Sequence, residues 1–118
     1  MKITMQATKH ESGLWIVPVG EIRQITHWLR IPSGACPVSH NPVLACARLR
    51  YCPNGQALEV VALYQHVRSL CRGGDGQPRS VEGLALRLAT DARAALGCPV
   101  RLDLWLMIYP WQVMRVSC

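Results

Sequence analysis

Residues 33–42 read Ser33-Gly34-Ala35-Cys36-Pro37-Val38-Ser39-His40-Asn41-Pro42, and this stretch separates two strand-like runs. Proline fixes φ and lacks a backbone donor, so Pro37 and Pro42 argue against a helix interior or a central strand. Gly34 permits a tight backbone just before the thiol of Cys36. The stretch therefore predicts a shaped loop that presents a cysteine, and loops held by a rigid scaffold commonly carry function.

Strand-like patterns flank this loop on both sides. Residues 21–31 predict a strand whose apolar face includes Leu29, and residues 43–51 predict a second strand with clean alternation. Arg48 and Arg50 share the polar face of the second strand, where they would either meet phosphate or RNA or, as we favour, be solvated. The loop is therefore predicted to connect two neighbouring antiparallel strands.

Two helices are predicted after these strands. Residues 57–71 repeat apolar residues at intervals of three and four, which is typical of an amphipathic helix. A glycine-rich break follows, and Ser80 is then the expected N-cap of a second helix that ends before Gly97. Glu82 falls in the first turn of that helix, where the helix dipole favours a carboxylate.

Residues 100–109 and 111–118 predict two more strands, with a corner at Pro110. The expected order is strand, strand, helix, helix, strand, strand, which is an α+β domain of two antiparallel hairpins at residues 21–118. Residues 1–20 are predicted to form a loosely ordered N-terminal arm, in which residues 1–13 show no clear period and residues 14–17 form either a short strand or a packed apolar plug. A single four-stranded sheet leaves edges that invite pairing with neighbouring subunits.

The bulk properties favour a small cytoplasmic protein that forms homo-oligomers. A chain of 118 residues is one domain, and 50% hydrophobic residues is a high share for a small monomer. The apolar runs are too short to cross a bilayer, and the start is too polar for a signal peptide. The six cysteines form no C-x-x-C pair, so most are expected to be buried thiols. The net charge of +6 favours either an anionic partner or a solvated basic surface.

The loop Cys36-Pro37-Val38-Ser39-His40-Asn41-Pro42 resembles the C-P-V-[TS]-G-x-P-D loop of the QueF family. The predicted order of strands and helices is similar to that of the same family, over residues 21–118. The resemblance implies a tunnelling fold, in which an antiparallel sheet carries two helices on one face. It also implies a homo-oligomer with active sites between subunits, acting on 7-cyano-7-deazaguanine.

The same resemblance implies roles for three residues. Cys36 would attack the nitrile carbon and form a covalent thioimide, and a thiolate suits that soft electrophile. Glu59 and Glu82 resemble the glutamates of the family's V-E and F-H-E segments, and both would accept hydrogen bonds from the guanine-like edge of the substrate. An acid at the start of a helix is also stabilising without any ligand, so that explanation stays open for both glutamates.

Three departures from the family pattern bear on the reaction. Val43 stands where the family has its proton-donating Asp, and Val81 stands where it has a His. His40 is the candidate replacement acid, because a histidine near Cys36 can activate the thiol and shuttle a proton. The lysines of the NADPH signature are missing after Glu59, so no cofactor is expected, and NADPH stays the alternative. The pattern favours amidine formation over NADPH-dependent reduction, on a deazapurine that is free or carried on tRNA or another nucleic acid.

Two other functions stay open. Cys36, His40, Glu59 and Glu82 are also a legitimate ligand set for zinc, which would suit a metal-dependent pterin or purine cyclohydrolase with the tunnelling fold. The downstream histidine pattern of those enzymes is not visible, so the main hypothesis contains no metal. The other alternative is a non-catalytic protein that binds a deazapurine or RNA, because the family's Asp and His are missing.

Overall fold

A computed structural model gives the structure of residues 6–31, 43–72, 80–108 and 112–118. The elements of these parts are, in chain order, β1 (Thr8–Lys9), β2 (Trp15–Pro18), β3 (Ile25–Ile31), β4 (Val43–Tyr51), β5 (Gln56–Leu58), α1 (Val60–Cys71), α2 (Val81–Leu96), β6 (Val100–Ile108) and β7 (Gln112–Ser117). Helices and antiparallel sheets occur together in one chain, which confirms the predicted α+β class.

The larger sheet has the strand order β3-β4-β6-β7, and every neighbouring pair is antiparallel. Both helices come between its two middle strands in the sequence, as the predicted order of elements requires. Tyr51, at the end of β4, lies opposite both Ile25 on β3 and Val100 on β6. β3 begins at Ile25, so the prediction of a strand over residues 21–31 placed its start four residues too early.

Both helices pack on the same face of this sheet. The alternation of β4 and β6 puts their small and branched apolar residues on that face, where they meet the apolar stripes of the helices. The shared core contains fully buried residues from both layers: Ala47, Leu49, Leu63, Leu88, Ala92, Leu102 and Leu104. The opposite face of the sheet is not covered by any helix of the described chain.

The ends of α2 follow the predicted chemistry. Ser80 is the N-cap, and its Oγ accepts the backbone N–H of Gly83 at 3.1 Å. Gly97 ends the helix with φ of 66°, a left-handed conformation that a glycine adopts without a steric penalty from Cβ. Both positions therefore confirm the boundaries that the sequence indicated for the second helix.

The first helix differs from its prediction, because it begins at Val60 rather than at residue 57. Residues 56–58 form β5 instead, and β5 pairs with β2 in a small sheet of order β1-β2-β5. Leu58 is almost completely buried in this arrangement. The apolar residues at helical spacing in residues 57–71 thus belong to two different elements, the strand β5 and the helix α1, with the capping residue Glu59 between them.

The N-terminal segment was expected to be a loosely ordered arm over residues 1–20, with a short strand or packed plug at residues 14–17, and it contains β2 at Trp15–Pro18. Its described part contributes β1 and β2 to the small sheet. Leu14 is completely buried in the shared core, and Val17 is also buried. Leu14 and Val17 therefore anchor this segment to the rest of the domain.

Two bulk predictions can be compared with the described residues. Cys46, Cys52 and Cys71 are exposed, so the expectation that most cysteines would be buried is wrong for these three. Neither α1 nor α2 is long and apolar enough to cross a membrane.

Candidate functional site

Cys36 and His40, the predicted nucleophile and acid, lie in residues 32–42, outside the part of the chain that the structure describes. The described residues that flank this segment are Ile31, which ends β3, and Val43, which begins β4. The two strands pair up to this point, with Ile31 opposite Ala45. The segment that carries the thiol therefore joins the strands at this end of the larger sheet, which we call the loop end.

Glu59 lies near the opposite end of the same sheet. The preceding residue, Leu58, donates its backbone N–H to Tyr51 Oη at 2.9 Å, and Tyr51 is the last residue of β4. Since β4 has nine residues, its two ends are roughly 26 Å apart at about 3.3 Å per residue. Glu59 is therefore separated by most of the length of the sheet from the loop end of its own chain.

Tyr51 is held in place by a second polar contact. His27 Nε2 lies 2.9 Å from Tyr51 Oη, and the two rings stack with their centroids 5.5 Å apart. Burial lowers the pKa of His27, which favours the neutral imidazole. A neutral Nε2 can accept the hydroxyl proton while the hydroxyl oxygen accepts from Leu58, so the contacts are mutually compatible. This pair fixes the position of the chain just before Glu59.

The carboxylate of Glu59 is the N-cap of α1. Its Oε1 accepts the backbone N–H of Val61 at 3.1 Å, and its Oε2 accepts that of Ala62 at 2.7 Å. The residue itself has an extended backbone, with φ of −72° and ψ of 130°, as a cap requires. The described contacts of Glu59 are thus those of a helix cap without a ligand, which is the explanation that the sequence left open. Each carboxylate oxygen retains further acceptor capacity.

We expect Glu59→Ala to lower the free energy of unfolding by about 1 kcal/mol, because two helix N–H groups lose their acceptor. Glu59→Asp keeps a good capping group and is expected to change stability by much less. Urea unfolding of both variants in the absence of any ligand measures the difference. Equal stability of the alanine variant and the unaltered protein would show that this cap has no energetic role.

Glu82 occupies the first turn of α2 and is exposed. An acid at this position is stabilised by the partial positive charge of the helix N-terminus. The other end of α2 is anchored near Tyr51, since the Arg93 guanidinium donates to the backbone oxygen of Val100 at 2.9 Å. Glu82 lies about 16 Å along the helix from Arg93 at 1.5 Å per residue. It is thus at the helix end that points away from the Tyr51 end of the sheet.

A group that sequence reasoning missed is a buried carboxylate on the helix-free face of the larger sheet. Asp103 on β6 is completely buried, although it lies on the face that no helix covers. Three side chains donate to it: Arg48 at 2.8 Å, Arg115 at 2.9 Å and Ser117 at 2.7 Å. Arg101 Nε is 3.2 Å from the same carboxylate. We call these five residues the Asp103 cluster.

The surroundings of Asp103 strongly favour the ionised form of its carboxyl group. Burial by itself raises the pKa of this carboxyl, but the hydrogen bonds from Arg48, Ser117 and Arg115 and the nearby Arg101 charge outweigh it. The net result is a pKa well below the usual range. Within the described chain, Arg48 Nε is buried without a hydrogen-bond partner, so Arg48 depends on Asp103 for its compensation.

Two tryptophans lie beside this cluster. Trp28 and Trp105 stack with ring centroids 6.2 Å apart and an interplanar angle of 18°. The guanidinium of Arg48 is 5.7 Å from one ring centroid and 5.3 Å from the other, which is within the range of cation–π attraction. The signal for this arrangement was present in the sequence, because Asp103 and Trp105 alternate with the core leucines of the last long strand. Recognising it required the register of β4 against β6.

A second polar pair connects the two helices. His66 Nε2 on α1 lies 2.8 Å from Asp91 Oδ2 on α2, and Arg87 Nε donates to both carboxylate oxygens of Asp91. Gly13 packs directly over the histidine ring, since a Cβ there would be 3.1 Å from His66 Nδ1. These contacts connect both helices to the N-terminal segment, and the side chains of His66 and Asp91 are nearly buried, which indicates a packing role.

The metal alternative is not tested by the described residues, because Cys36 and His40 lie outside them. Among residues 6–31, 43–72, 80–108 and 112–118, no three His, Cys, Asp or Glu side chains are placed to hold a metal ion together.

Compared with known proteins, the chain matches no protein-family model and no curated protein.

Proposed function

We propose that this protein is a cytoplasmic enzyme of the tunnelling fold that converts the nitrile of 7-cyano-7-deazaguanine to an amidine. The observation that supports this most is the topology of the larger sheet. The strand order is β3-β4-β6-β7, both helices are inserted between the middle strands, and residues 32–42 join the first two strands. That is the arrangement implied by the resemblance of the Cys36 loop to the QueF family.

The proposed reaction begins with attack of the Cys36 thiolate on the nitrile carbon. A carbon–sulfur bond forms, one π electron pair moves to the nitrile nitrogen, and His40 supplies the proton that this nitrogen takes up. Ammonia then adds to the thioimide carbon and returns one proton to His40, and the thiolate leaves as the amidine forms. Carbon is neither oxidised nor reduced in this sequence, so the reaction needs no nicotinamide cofactor.

The positions of the two glutamates favour a site shared between two copies of the chain. Glu59 and the loop end lie at opposite ends of the sheet, so one chain separates its own Glu59 from Ile31 and Val43, the described residues that flank the Cys36 segment. Glu82, at the far end of α2 from the Tyr51 end, is the glutamate better placed to act with Cys36 of the same chain. We therefore assign Glu82 and Cys36 to one subunit and Glu59 to its neighbour.

The edges of the larger sheet offer a route to such an assembly. Among the described strands, β3 pairs only with β4, and β7 pairs only with β6. Each therefore presents one row of backbone donors and acceptors that a neighbouring copy can pair with. Pairing of β3 with β7 of the next copy is heterologous, and it closes into a ring when the rotation per subunit allows.

Intact-mass spectrometry after incubation with 7-cyano-7-deazaguanine tests the proposal. We expect the unaltered protein to gain the mass of one ligand, because addition to a nitrile releases no leaving group. Cys36→Ala is expected to show no gain, whereas Cys46→Ala, which removes an exposed thiol elsewhere, should react like the unaltered protein.

Two outcomes would contradict the proposal. An adduct on the Cys36→Ala variant would show that another thiol reacts, and the assignment of the nucleophile would be wrong. Absence of an adduct in every variant would reject nitrile chemistry. Tight binding without an adduct would then favour the non-catalytic alternative. After adduct formation, release of an amidine on addition of ammonium would distinguish amidation from reduction.

A further inference from the structure

The helix-free face of the larger sheet, which we call the open face, carries an unusual combination of exposed apolar and basic side chains. Its described members, read from the register of the four strands, are Thr26, Trp28, Arg30, Leu44, Cys46, Arg48, Arg50, Arg101, Asp103, Trp105, Met107, Val113, Arg115 and Ser117. Trp28 is 67% exposed and Val113 is 66% exposed, and no helix or second sheet of the described chain covers them. Such a surface indicates a partner.

The charge of the open face selects the kind of partner. Its described residues include five arginines and one aspartate, and five less one leaves four positive charges. Arg50 and Arg101 lie directly opposite each other across β4 and β6, and within the described chain only Arg101 of this like-charge pair has an anion close to it, the Asp103 carboxylate at 3.2 Å. Arg30 and Arg50 have no ion-pair partner within the described chain.

This charge argues against a second copy seated face to face on the same surface. Two such faces would bring positive charge against positive charge, and like-charge juxtaposition opposes association. It favours a polyanion, because phosphate groups spaced along a strand can meet several arginines at once.

The aromatic side chains narrow the choice among polyanions. Trp28 stacks against Trp105 with one ring face and leaves most of its surface exposed. Arg48 and Arg115 lie over the Trp105 ring at 5.3 and 5.6 Å, so the aromatic and basic groups are interleaved. Unpaired bases stack on exposed aromatic rings beside arginines, whereas the bases of a duplex are already stacked on each other.

We infer that the open face binds single-stranded nucleic acid, with a base stacked on Trp28 and phosphates held by Arg30, Arg50 and Arg101. The four strands span about 14 Å, and sheets of this width in other proteins stack two or three bases. The binding requires neither Cys36 nor nitrile chemistry, and it therefore goes beyond the proposed enzymatic function.

Fluorescence anisotropy with a labelled single-stranded RNA of mixed sequence, with a DNA strand of the same sequence in parallel, tests this inference. Trp28→Ala is expected to weaken binding about tenfold, because base–aromatic stacking is lost. Trp28→Phe should restore part of that loss. Tyr64→Ala removes an exposed aromatic ring from α1, on the helical side of the domain, and is expected to leave the affinity within about twofold.

Charge variants provide an independent measurement. Arg50→Gln is expected to weaken binding several-fold and to reduce the slope of log affinity against log salt by about 0.7. Arg68→Gln removes the same charge from α1 and should change neither quantity. Cys36→Ala lacks the proposed nucleophile and is expected to bind the strand like the unaltered protein, so the two proposals can fail separately.

Three results would overturn the inference. The first is the absence of binding of either strand to the unaltered protein at low salt. The second is an equal loss of affinity for Trp28→Ala and Tyr64→Ala, with circular dichroism showing both variants folded. The third is a duplex of the same sequence that binds as tightly as the single strand.

Discussion

Asp103→Ala is expected to lower the free energy of unfolding by about 3–5 kcal/mol, because breaking a buried ion pair leaves its partner uncompensated. The largest part of this cost falls on Arg48, whose side chain is only 23% exposed and whose Nε already lacks a partner among the described residues. Arg101 and Arg115 are about half exposed and can turn toward water. Urea unfolding near pH 7 measures the change.

Two comparisons separate this effect from a general change of charge. Glu21→Ala removes one exposed carboxylate and is expected to change the free energy of unfolding by less than about 0.5 kcal/mol. The double variant Asp103→Ala/Arg48→Met lacks both the carboxylate and the buried guanidinium. Its loss of unfolding free energy should therefore be smaller than the sum of the losses in the two single variants. Additive losses would mean that the two side chains do not compensate each other in solution.

The same carboxyl predicts a particular dependence of stability on pH. Because the folded state holds the pKa of Asp103 below its value in the unfolded chain, its contribution is fully present above about pH 4. The contribution is lost as the pH falls from there toward the folded-state pKa. Asp103→Asn is expected to be less stable near pH 7 and to lose less stability than the unaltered protein between about pH 4 and pH 2. Parallel unfolding curves at all pH values would contradict this assignment.

Much of the fold could be predicted from single residues with strong local preferences. Ser80 and Gly97 bound the second helix because a hydroxyl cap and a left-handed residue act within one turn. The alternation around Ala47 and Leu102 located two long strands, since a residue-by-residue change of face is legible without knowing the neighbours. Pattern and local chemistry agree at these positions, which is why the structure has the predicted order of elements in the larger sheet.

The errors arose where the decisive partner is distant in sequence. Residues 56–58 carry helical spacing, but they become a strand because β2 is available to pair with them. β2 has four residues and is too short to show a period, so the sequence left open whether residues 14–17 form a short strand or a packed plug, and pairing with β5 decides for the strand. Asp103 is surrounded by leucines in the sequence, and only the strand register brings Arg48 and Arg115 to it.

The candidate site likewise has parts that local residues predict and parts that depend on distant partners. The roles of Cys36 and His40 come from the residues of one loop and stay predictions, since that loop lies outside the described chain. Glu59 was singled out correctly as the residue at the start of a helix, but which end of the sheet it occupies follows from the bond between Leu58 and Tyr51. That placement supports the expectation, implied by the resemblance to the QueF family, that the proposed site is shared between chains.

Mixing two inactive variants is expected to restore adduct formation if the site is shared in this way. Cys36→Ala has no nucleophile, and Glu59→Gln has lost the charged acceptor for the guanine-like edge while keeping an oxygen that can cap α1. Each variant alone should give little or no adduct with 7-cyano-7-deazaguanine. After the two are unfolded together and refolded at equal concentration, about a quarter of the interfaces should pair an intact Cys36 with an intact Glu59.

Mass spectrometry identifies which chain carries the adduct in that mixture. The added mass is expected on the Glu59→Gln chain, because that chain supplies the thiol while its neighbour supplies the glutamate. A mixture of Cys36→Ala with a Cys36→Ser variant has no thiol at position 36 in any interface and should remain without adduct. If Cys36 and Glu59 act within one chain, neither chain of the first mixture contains a complete site, and mixing restores nothing. The roughly 26 Å between the ends of β4 favours the shared site.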